Sequence, residues 1–339
     1  DELFETKSKK PDIFGRNNLT FFRPRHVFLI KNKKLVVESI EDEESVSMFF
    51  EKISNYKYCN EDLPKINFLA RETKKTYLSK ISKIKSHIQR GDIYEMNYCQ
   101  EFYKENISLS TQNLFIKLNK LTKSPFATFL NIENFTIIGT SPERYMLKQG
   151  NNIISQPIKG TSKRVSDKNE DNELKKNLSK SAKDISENIM IVDLVRNDMS
   201  RFSKPGSVKV KELCEVYPFK QVHQMISTIE SKVDSSLKIS KIIEGSFPMG
   251  SMTGAPKVKA MKIIDELEET KRGLYSGAIG FIDPYGNFDF NVVIRSLIYD
   301  SESKHLSFHV GSAITAKSKG VNEYDECLLK GKAMILSLT

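Results

Sequence analysis

Ile93-Tyr94-Glu95-Met96-Asn97-Tyr98-Cys99-Gln100-Glu101-Phe102-Tyr103 alternates at the period of a β-strand. Tyr94, Met96, Tyr98 and Phe102 fall on one face, and Glu95, Asn97 and Glu101 on the other. That is the pattern of a strand with one side on a core and the other in water. Immediately before it, Tyr77, Ile81, Ile84 and Ile88 recur at helical spacing, so residues 72–90 read as an amphipathic helix that Gly91 ends. Further strands are predicted over 126–131, 135–139, 152–157, 207–216, 276–282, 289–299 and 305–311. Helices are predicted over 111–121, 170–199, 238–244, 256–269 and 319–337, and Asp283-Pro284-Tyr285-Gly286-Asn287 reads as a turn. Strands and helices mix without a regular β-α-β beat, which predicts an α+β fold with large, mainly antiparallel sheets. No Pro/Gly/Ser-rich linker follows residue 70. Residues 70–339 therefore read as one catalytic domain, and 1–69 as a short N-terminal region packing on its core.

The chain has 339 residues, 39% of them hydrophobic, ample for a sizeable core. No apolar run approaches the ~18 residues a membrane helix needs, so no membrane association is expected. Asp1-Glu2-Leu3-Phe4 lacks a basic-then-apolar signal pattern. The four cysteines, Cys59, Cys99, Cys214 and Cys327, are widely spaced and suggest neither a zinc site nor a disulfide framework. A reducing cytoplasm is the expected compartment. The net charge of +10 raises nucleic acid as a partner. The lysines are thinly spread, however, with no aromatic-interleaved basic block, and read as a solvated surface. Their field would also favour a small anionic substrate.

Several segments carry candidate chemistry. In Pro157-Ile158-Lys159-Gly160-Thr161 an amine stands in what reads as a loop, between a residue of fixed φ and one that admits close approach. Lys159 is there either as a solvated charge or as a nucleophile. Asp184 and Glu187 lie three residues apart on a predicted helix, beside apolar neighbours. Glu323 and Glu326 repeat that spacing, with Lys330 one turn on and Val321, Tyr324, Leu328 and Leu329 giving apolar contacts elsewhere. Paired carboxylates without His or Cys suit a hard ion such as Mg²⁺, although Glu326 and Lys330 also read as an ordinary ion pair. Phe247 to Lys257 is a small-residue turn opening a helix, with Thr253 as a cap or ligand hydroxyl; it fails the Walker spacing of a phosphate loop. Arg295, among apolar neighbours, needs either a protein carboxylate or a substrate carboxylate. The backbone at Gly311-Ser312 could hold a second one.

Taken in order, S-P-E-R (141–144), P-I-K-G-T (157–161), E-N-I-M-I-V-D-L-V-R-N-D (187–198), G-S-M-T-G-A-P-K (250–257), Y-S-G-A-I-G-F (275–281), I-R-S (294–296) and E-Y-D-E (323–326) resemble the chorismate-utilising enzymes. The resemblance covers roughly residues 70–337. It implies a sandwich of two large antiparallel sheets with flanking helices and the site between them. It implies Mg²⁺ bridging carboxylates to the ring carboxylate of chorismate. Glu187 and Glu326 match the principal metal positions, and Asp184 and Glu323 nearby ones. Arg295, Gly311, Ser312 and Lys330 match carboxylate-binding positions, and Thr161 and Thr253 pocket hydroxyls. His223 matches a site histidine, with a structural hydrogen-bonded histidine as the alternative.

Within the family, Lys159 resembles the lysine of the aminodeoxychorismate synthase branch, where the anthranilate synthases have Ala. The implied reaction is amination of chorismate at C4. Glu143 acts as general acid to the departing hydroxyl and Lys159 forms an adduct at C2. Ammonia would come free or from a separate glutamine amidotransferase subunit. The product, 4-amino-4-deoxychorismate, leads toward 4-aminobenzoate and folate. Anthranilate synthase component I chemistry is the alternative. Glu95 stands where water-adding relatives have a lysine, and where amine-adding ones usually have Gln.

Overall fold

A computed structural model describes residues 8, 10–59, 61–220 and 222–339; Asp1-Glu2-Leu3-Phe4 lies outside them. The chain divides into two compact units, Gly15–Asp62 and the remainder, residues up to Phe14 with Leu63–Thr339. The smaller unit has a hairpin of β1 (His26–Lys31) and β2 (Lys34–Ser39) followed by α1 (Glu43–Ser54). Asn32 and Lys33 turn the hairpin with φ of 51° and 62°, as a two-residue turn matched to strand twist requires. The Asp42 carboxylate accepts from Ser45 N at 2.8 Å and caps α1.

The larger unit holds β3 (Leu69–Ala70), α2 (Lys74–Gln89), β4 (Glu95–Lys104), α3 (Thr111–Thr122), β5 (Phe126–Ile132), β6 (Phe135–Ser141), β7 (Arg144–Gln149), β8 (Asn152–Gln156), β9 (Ile158–Lys163), α4 (Lys168–Ser179), α5 (Ala182–Ser200), β10 (Lys209–Pro218), β11 (Val222–Lys232), α6 (Ile239–Ser246), β12 (Gly254–Ala255), α7 (Lys257–Leu267), β13 (Ala278–Ile282), β14 (Phe288–Val292), β15 (Ser296–Asp300), β16 (His305–Ile314) and α8 (Gly320–Leu336). One sheet runs β10-β11-β8-β7-β14-β13, with β9 also on β11. The other runs β12-β4-β16-β15-β6-β5, with β3 on β4. All pairings are antiparallel, so the expected α+β sandwich is present.

Each sheet has its own apolar layer. Tyr77 and Ile81 of α2, Leu114 and Leu118 of α3, Ile263 of α7 and Met334 of α8 pack on Met96, Tyr98, Leu297 and Phe308. Ile191, Val192 and Val195 of α5 and Ile242 of α6 pack with Met146, Ile153, Ile229 and Phe290, and Cys99 of β4 joins this second cluster. The sheets therefore meet across β4, and the chain passes between them at Pro142-Glu143 and again at Val293-Ile294-Arg295.

Several expectations are corrected. The strand predicted over 289–299 is two strands in different sheets, because Arg295 adopts φ of 52° and breaks the run. The helix predicted over 170–199 is α4 and α5, since the Ser181 hydroxyl caps α5 by accepting from Asp184 N. Lys159 lies in strand β9, not a loop. On α8, Val321, Leu328 and Leu329 are exposed, while Tyr324 packs against Tyr77. Tyr94 precedes β4 and is 70% exposed.

The face of β4 expected in water is buried: Glu95, Asn97 and Glu101 are 1%, 7% and 2% exposed. Cys99 on that face packs in the apolar cluster of the opposing sheet, and the segments around Ser251 and over 268–272 bond to Asn97, the Cys99 backbone and Glu101. Burial opposes the charge on Glu101, but His305 at 3.6 Å, His309 and the Arg71 guanidinium at 2.9 Å hold its carboxyl at about 2.

Two of the motifs are joined by a buried ion pair, Lys257 Nζ to Asp198 at 2.6 Å, with Pro248 O accepting from the same amine at 2.8 Å. Removing one partner leaves a buried charge alone, typically at ~3–5 kcal/mol. Lys257→Met is expected to lower unfolding free energy on that scale, read from urea denaturation midpoints.

Candidate active site

The lysine is presented by a bulge. Ile158 pairs with Ile226, and Thr161 with Gln224, so the register slips across Lys159-Gly160. Gly160 takes φ of 90°, and a Cβ there would lie 3.0 Å from the Asp184 side chain. Glycine is required on both counts. Asn188, 1% exposed on α5, donates to Met225 O at 3.3 Å and Lys159 O at 3.5 Å, satisfying carbonyls the slipped ladder leaves open. Asn188 in turn accepts from the Ser227 hydroxyl.

Lys159 Nζ is 3.5 Å from Ser251 O, and its charge favours the ionised forms of Glu95, Glu143, Glu187 and Glu326. Ser251 belongs to the 250–257 segment, which crosses over the end of β4. There Asn97 N donates to Thr253 O at 2.7 Å, and Tyr94 N to Ala255 O at 2.7 Å. A Cβ on Gly254 would fall 2.3 Å from Glu95 O, so only glycine permits that approach.

Glu143 sits where the chain leaves one sheet for the other, 5% exposed. Burial lifts its carboxyl to about 7, against the opposing pull of a Ser251 hydrogen bond and the Lys159 charge. Near neutrality it is divided between acid and base, the condition for a general acid. Glu95 is pushed up by the same burial, and Lys159 partly opposes the shift. Its Oε2 has no hydrogen-bond partner.

The two i, i+3 pairs face each other only in part. Glu187 of α5 and Glu323 of α8 are joined through Lys183, whose Nζ is 3.1 Å from Glu323 and 3.8 Å from Glu187. Burial lifts Glu187 to about 7 although Lys159 and Lys183 oppose the shift. Glu326 pairs with Lys330 at 2.7 Å, and that lysine also donates to Gly311 O at 2.9 Å. Burial works against the Glu326 charge, but Lys330, Lys183 and Lys159 keep its carboxyl low. Asp184 packs instead against Gly160. Among the described residues no three His, Cys, Asp or Glu side chains are gathered as a metal site. The donor set is nevertheless all oxygen, and Glu187 Oε1 and Glu323 Oε2 are buried without a hydrogen-bond donor. These carboxylates fit a hard cation in chemistry and in unused acceptor capacity.

Arg295, between β14 and β15, has its carbonyl fixed by Thr140 N at 3.1 Å and Thr140 Oγ1 at 2.9 Å. Its guanidinium forms no ion pair or hydrogen bond among the described residues. Desolvation works against its charge, with Tyr275 and Glu326 opposing. Of the two alternatives for Arg295, a protein carboxylate is not its partner. Gly311 must be glycine because a Cβ would meet Cys99 Sγ at 2.4 Å and Tyr98 O at 2.7 Å.

The remaining residues are placed less directly. Ser312 is fully buried with its hydroxyl 3.4 Å from Tyr77 OH, in the apolar layer. Thr253 donates to Met249 O at 3.0 Å. Thr161 lies opposite Gln224 on β9. His223, 2% exposed, bonds through Nε2 to Asp171 at 3.0 Å, and Asp171 also pairs with Arg164 at 2.9 Å. Its Nδ1 has no partner. Asn188 and Lys183 carry the site geometry without having been singled out in the sequence. Their signal was position alone, Asn188 beside Glu187 and Lys183 beside Asp184.

Residues 2–336 match the family described as chorismate binding enzyme. The chain is 39% identical over 266 residues to aminodeoxychorismate synthase component 1 of Escherichia coli (strain K12), covering 78% of this chain and 58% of that protein. It is 31% identical over 334 residues to anthranilate synthase component 1 of Bacillus subtilis (strain 168), covering 98% of this chain and 61% of that one. The chain thus spans somewhat over half the length of each of these relatives. The crystal structure of anthranilate synthase component I from Streptococcus pneumoniae TIGR4 superposes with a TM-score of 0.81 at 27% identity, covering 92% of this chain and 72% of that one.

Proposed function

This chain belongs to the chorismate-binding enzymes, and on that premise we propose that it aminates chorismate at C4 to 4-amino-4-deoxychorismate. The observation that carries the reading is Lys159. Its amine is held on a bulge, 3.5 Å from Ser251 O, and its charge acts on the buried carboxyl of Glu143 and on Glu95, Glu187 and Glu326. The side chain of Lys159 attacks ring C2 as the two ring double bonds shift and the C4 hydroxyl leaves as water, taking the Glu143 proton. Ammonia then bonds to C4, the double bonds shift back and the lysine nitrogen departs from C2. The attacking amine must be unprotonated, and the surrounding carboxylates are the available bases.

Arg295 and Lys330, with backbone at Gly311 and Ser312, hold the substrate carboxylates, and Thr161 and Thr253 complete the pocket wall; His223, on the opposite face of the β9-β11 pair from Thr161 and bonded to Asp171, serves as a structural histidine. Glu187 and Glu326, with Asp184 and Glu323 beside them, hold Mg²⁺. When bound, that ion neutralises and orients the ring carboxylate. Ammonia comes from a separate glutamine amidotransferase subunit or from solution. The cytoplasm is the compartment, and the product serves 4-aminobenzoate formation for folate.

A second reading is anthranilate synthesis, favoured by the alignment to the Bacillus subtilis protein over 98% of this chain. In that reading Lys159 takes no covalent part. Incubation with chorismate and Mg²⁺ but no ammonia separates the two. Intact and peptide mass spectrometry should show the Lys159 peptide carrying chorismate less one water. An unmodified peptide, or an adduct that persists in Lys159→Ala, removes Lys159 as nucleophile.

Arg295 gives an independent check. Among the described residues its guanidinium has no protein anion as partner, so a substrate carboxylate supplies one. Arg295→Gln is expected to weaken chorismate binding by about 10- to 100-fold, the scale of a charge-assisted hydrogen bond. Calorimetric titration with chorismate reads it, and unchanged affinity would refute the placement.

A further inference from the structure

Among the described residues, Lys183 is the cation of the carboxylate cluster that the proposed reaction leaves without a task. Its Nζ is 3.1 Å from Glu323 Oε1 and 3.8 Å from Glu187 Oε1. Helix stability does not explain it. Lys183 is the second residue of α5, at the positive end of the helix dipole, where a cation is disfavoured.

Exposure differs sharply across the pairs. The side chains of Glu323 and Glu187 are 1% and 9% exposed, and that of Lys183 is 41%. The carboxylates are fixed, while the ammonium sits on a flexible stem with a path to water. It also leaves its hosts incompletely satisfied. Glu323 Oε2 and Glu187 Oε1 are buried without a hydrogen-bond donor. A carboxylate offers about four acceptor positions, more than one shared ammonium can fill. A divalent cation with several oxygen ligands would use them, and it could not share Glu187 and Glu323 with an adjacent ammonium without like-charge repulsion.

We infer that Lys183 is the built-in occupant of the divalent-cation site, joining Glu187 to Glu323 in the metal-free enzyme and leaving when the ion binds. This rests on the reading of those carboxylates as metal ligands. Lys183 is then a competitor that weakens metal affinity, and it stabilises the enzyme whenever the ion is absent.

The test is calorimetric Mg²⁺ titration, with Mn²⁺ electron paramagnetic resonance as a second readout, on wild type, Lys183→Met, Lys183→Arg and Glu187→Gln. Removing the competing charge should tighten binding by about tenfold or more in Lys183→Met. Lys183→Arg should stay near wild type, and Glu187→Gln should lose the ion. Without metal, Lys183→Met should melt below wild type, and saturating Mg²⁺ should close that gap. If Lys183→Met proves too unstable to titrate, Lys183→Gln takes its place. Unchanged or weaker binding in the uncharged variant, with Glu187→Gln still deficient, overturns the inference and leaves the metal site intact. Absence of binding in every form, wild type included, overturns the metal reading itself and the role of Lys183 with it.

Discussion

Lys159→Ala is expected to lower kcat for amination by on the order of 10³-fold or more, the scale seen when a covalent nucleophile is removed. Chorismate binding should change little, because Arg295, Lys330 and the Gly311 backbone remain. The alanine variant also removes a charge that favours ionised Glu95, Glu143, Glu187 and Glu326. Lys159→Arg separates the two effects. It restores the cation but not a nucleophilic amine, so it should be as inactive as alanine while binding chorismate like wild type. Steady-state kinetics with saturating ammonium reads both. Loss of less than about tenfold in both variants would mean the amine makes no bond to substrate, as anthranilate chemistry requires.

Glu143→Gln should cost about 10²- to 10⁴-fold in kcat, the usual contribution of a positioned acid. The glutamine keeps the shape and cannot supply the proton. In wild type the limb falling at high pH should carry an apparent value near 7, since burial raises Glu143 to about 7 and only its acid form protonates the leaving hydroxyl. That limb should vanish in the variant. Stability moves with the same group. Its folded-state value lies above the ordinary 4.5, so the folded chain holds the proton more tightly than the unfolded one. The resulting stability is complete below pH 4.5, declines as pH rises, and is gone above about 7. The difference between 4.5 and about 7 corresponds to roughly 3 kcal/mol. Relative to wild type, Glu143→Gln should therefore gain about that much between pH 4.5 and pH 8, read from urea midpoints at the two values.

The sequence was most legible where local pattern and burial agree. The α2 periodicity, the antiparallel strands flanking 305–311 and the carboxylate spacing on α8 all survive in the structure. It misled where the second sheet intervenes. Alternation along β4 marks two faces, but it does not say that the polar one meets water. Here the polar face is buried; Glu268 and Arg272 bond its backbone at Cys99 and Asn97, and Arg71 pairs with Glu101. The break at Arg295 was invisible because no glycine or proline marks it; an arginine held at φ of 52° is fixed by its tertiary setting. Lys159 read as a loop residue because proline and glycine flank it, whereas the proline immediately precedes strand β9 and the glycine makes a bulge within it. Lys183 carries no pattern of its own in the sequence. Only the convergence of α5 and α8 gives it partners.

The central claim, amination of chorismate at C4 with the ring substituents retained, is tested most directly by the product. The purified chain would be incubated with chorismate, Mg²⁺ and ammonium at alkaline pH, and the products separated by retention and mass. An amino-deoxy compound that keeps its enolpyruvyl group is the predicted result. Anthranilate would contradict it, and would make Lys159 a bystander in the site it occupies.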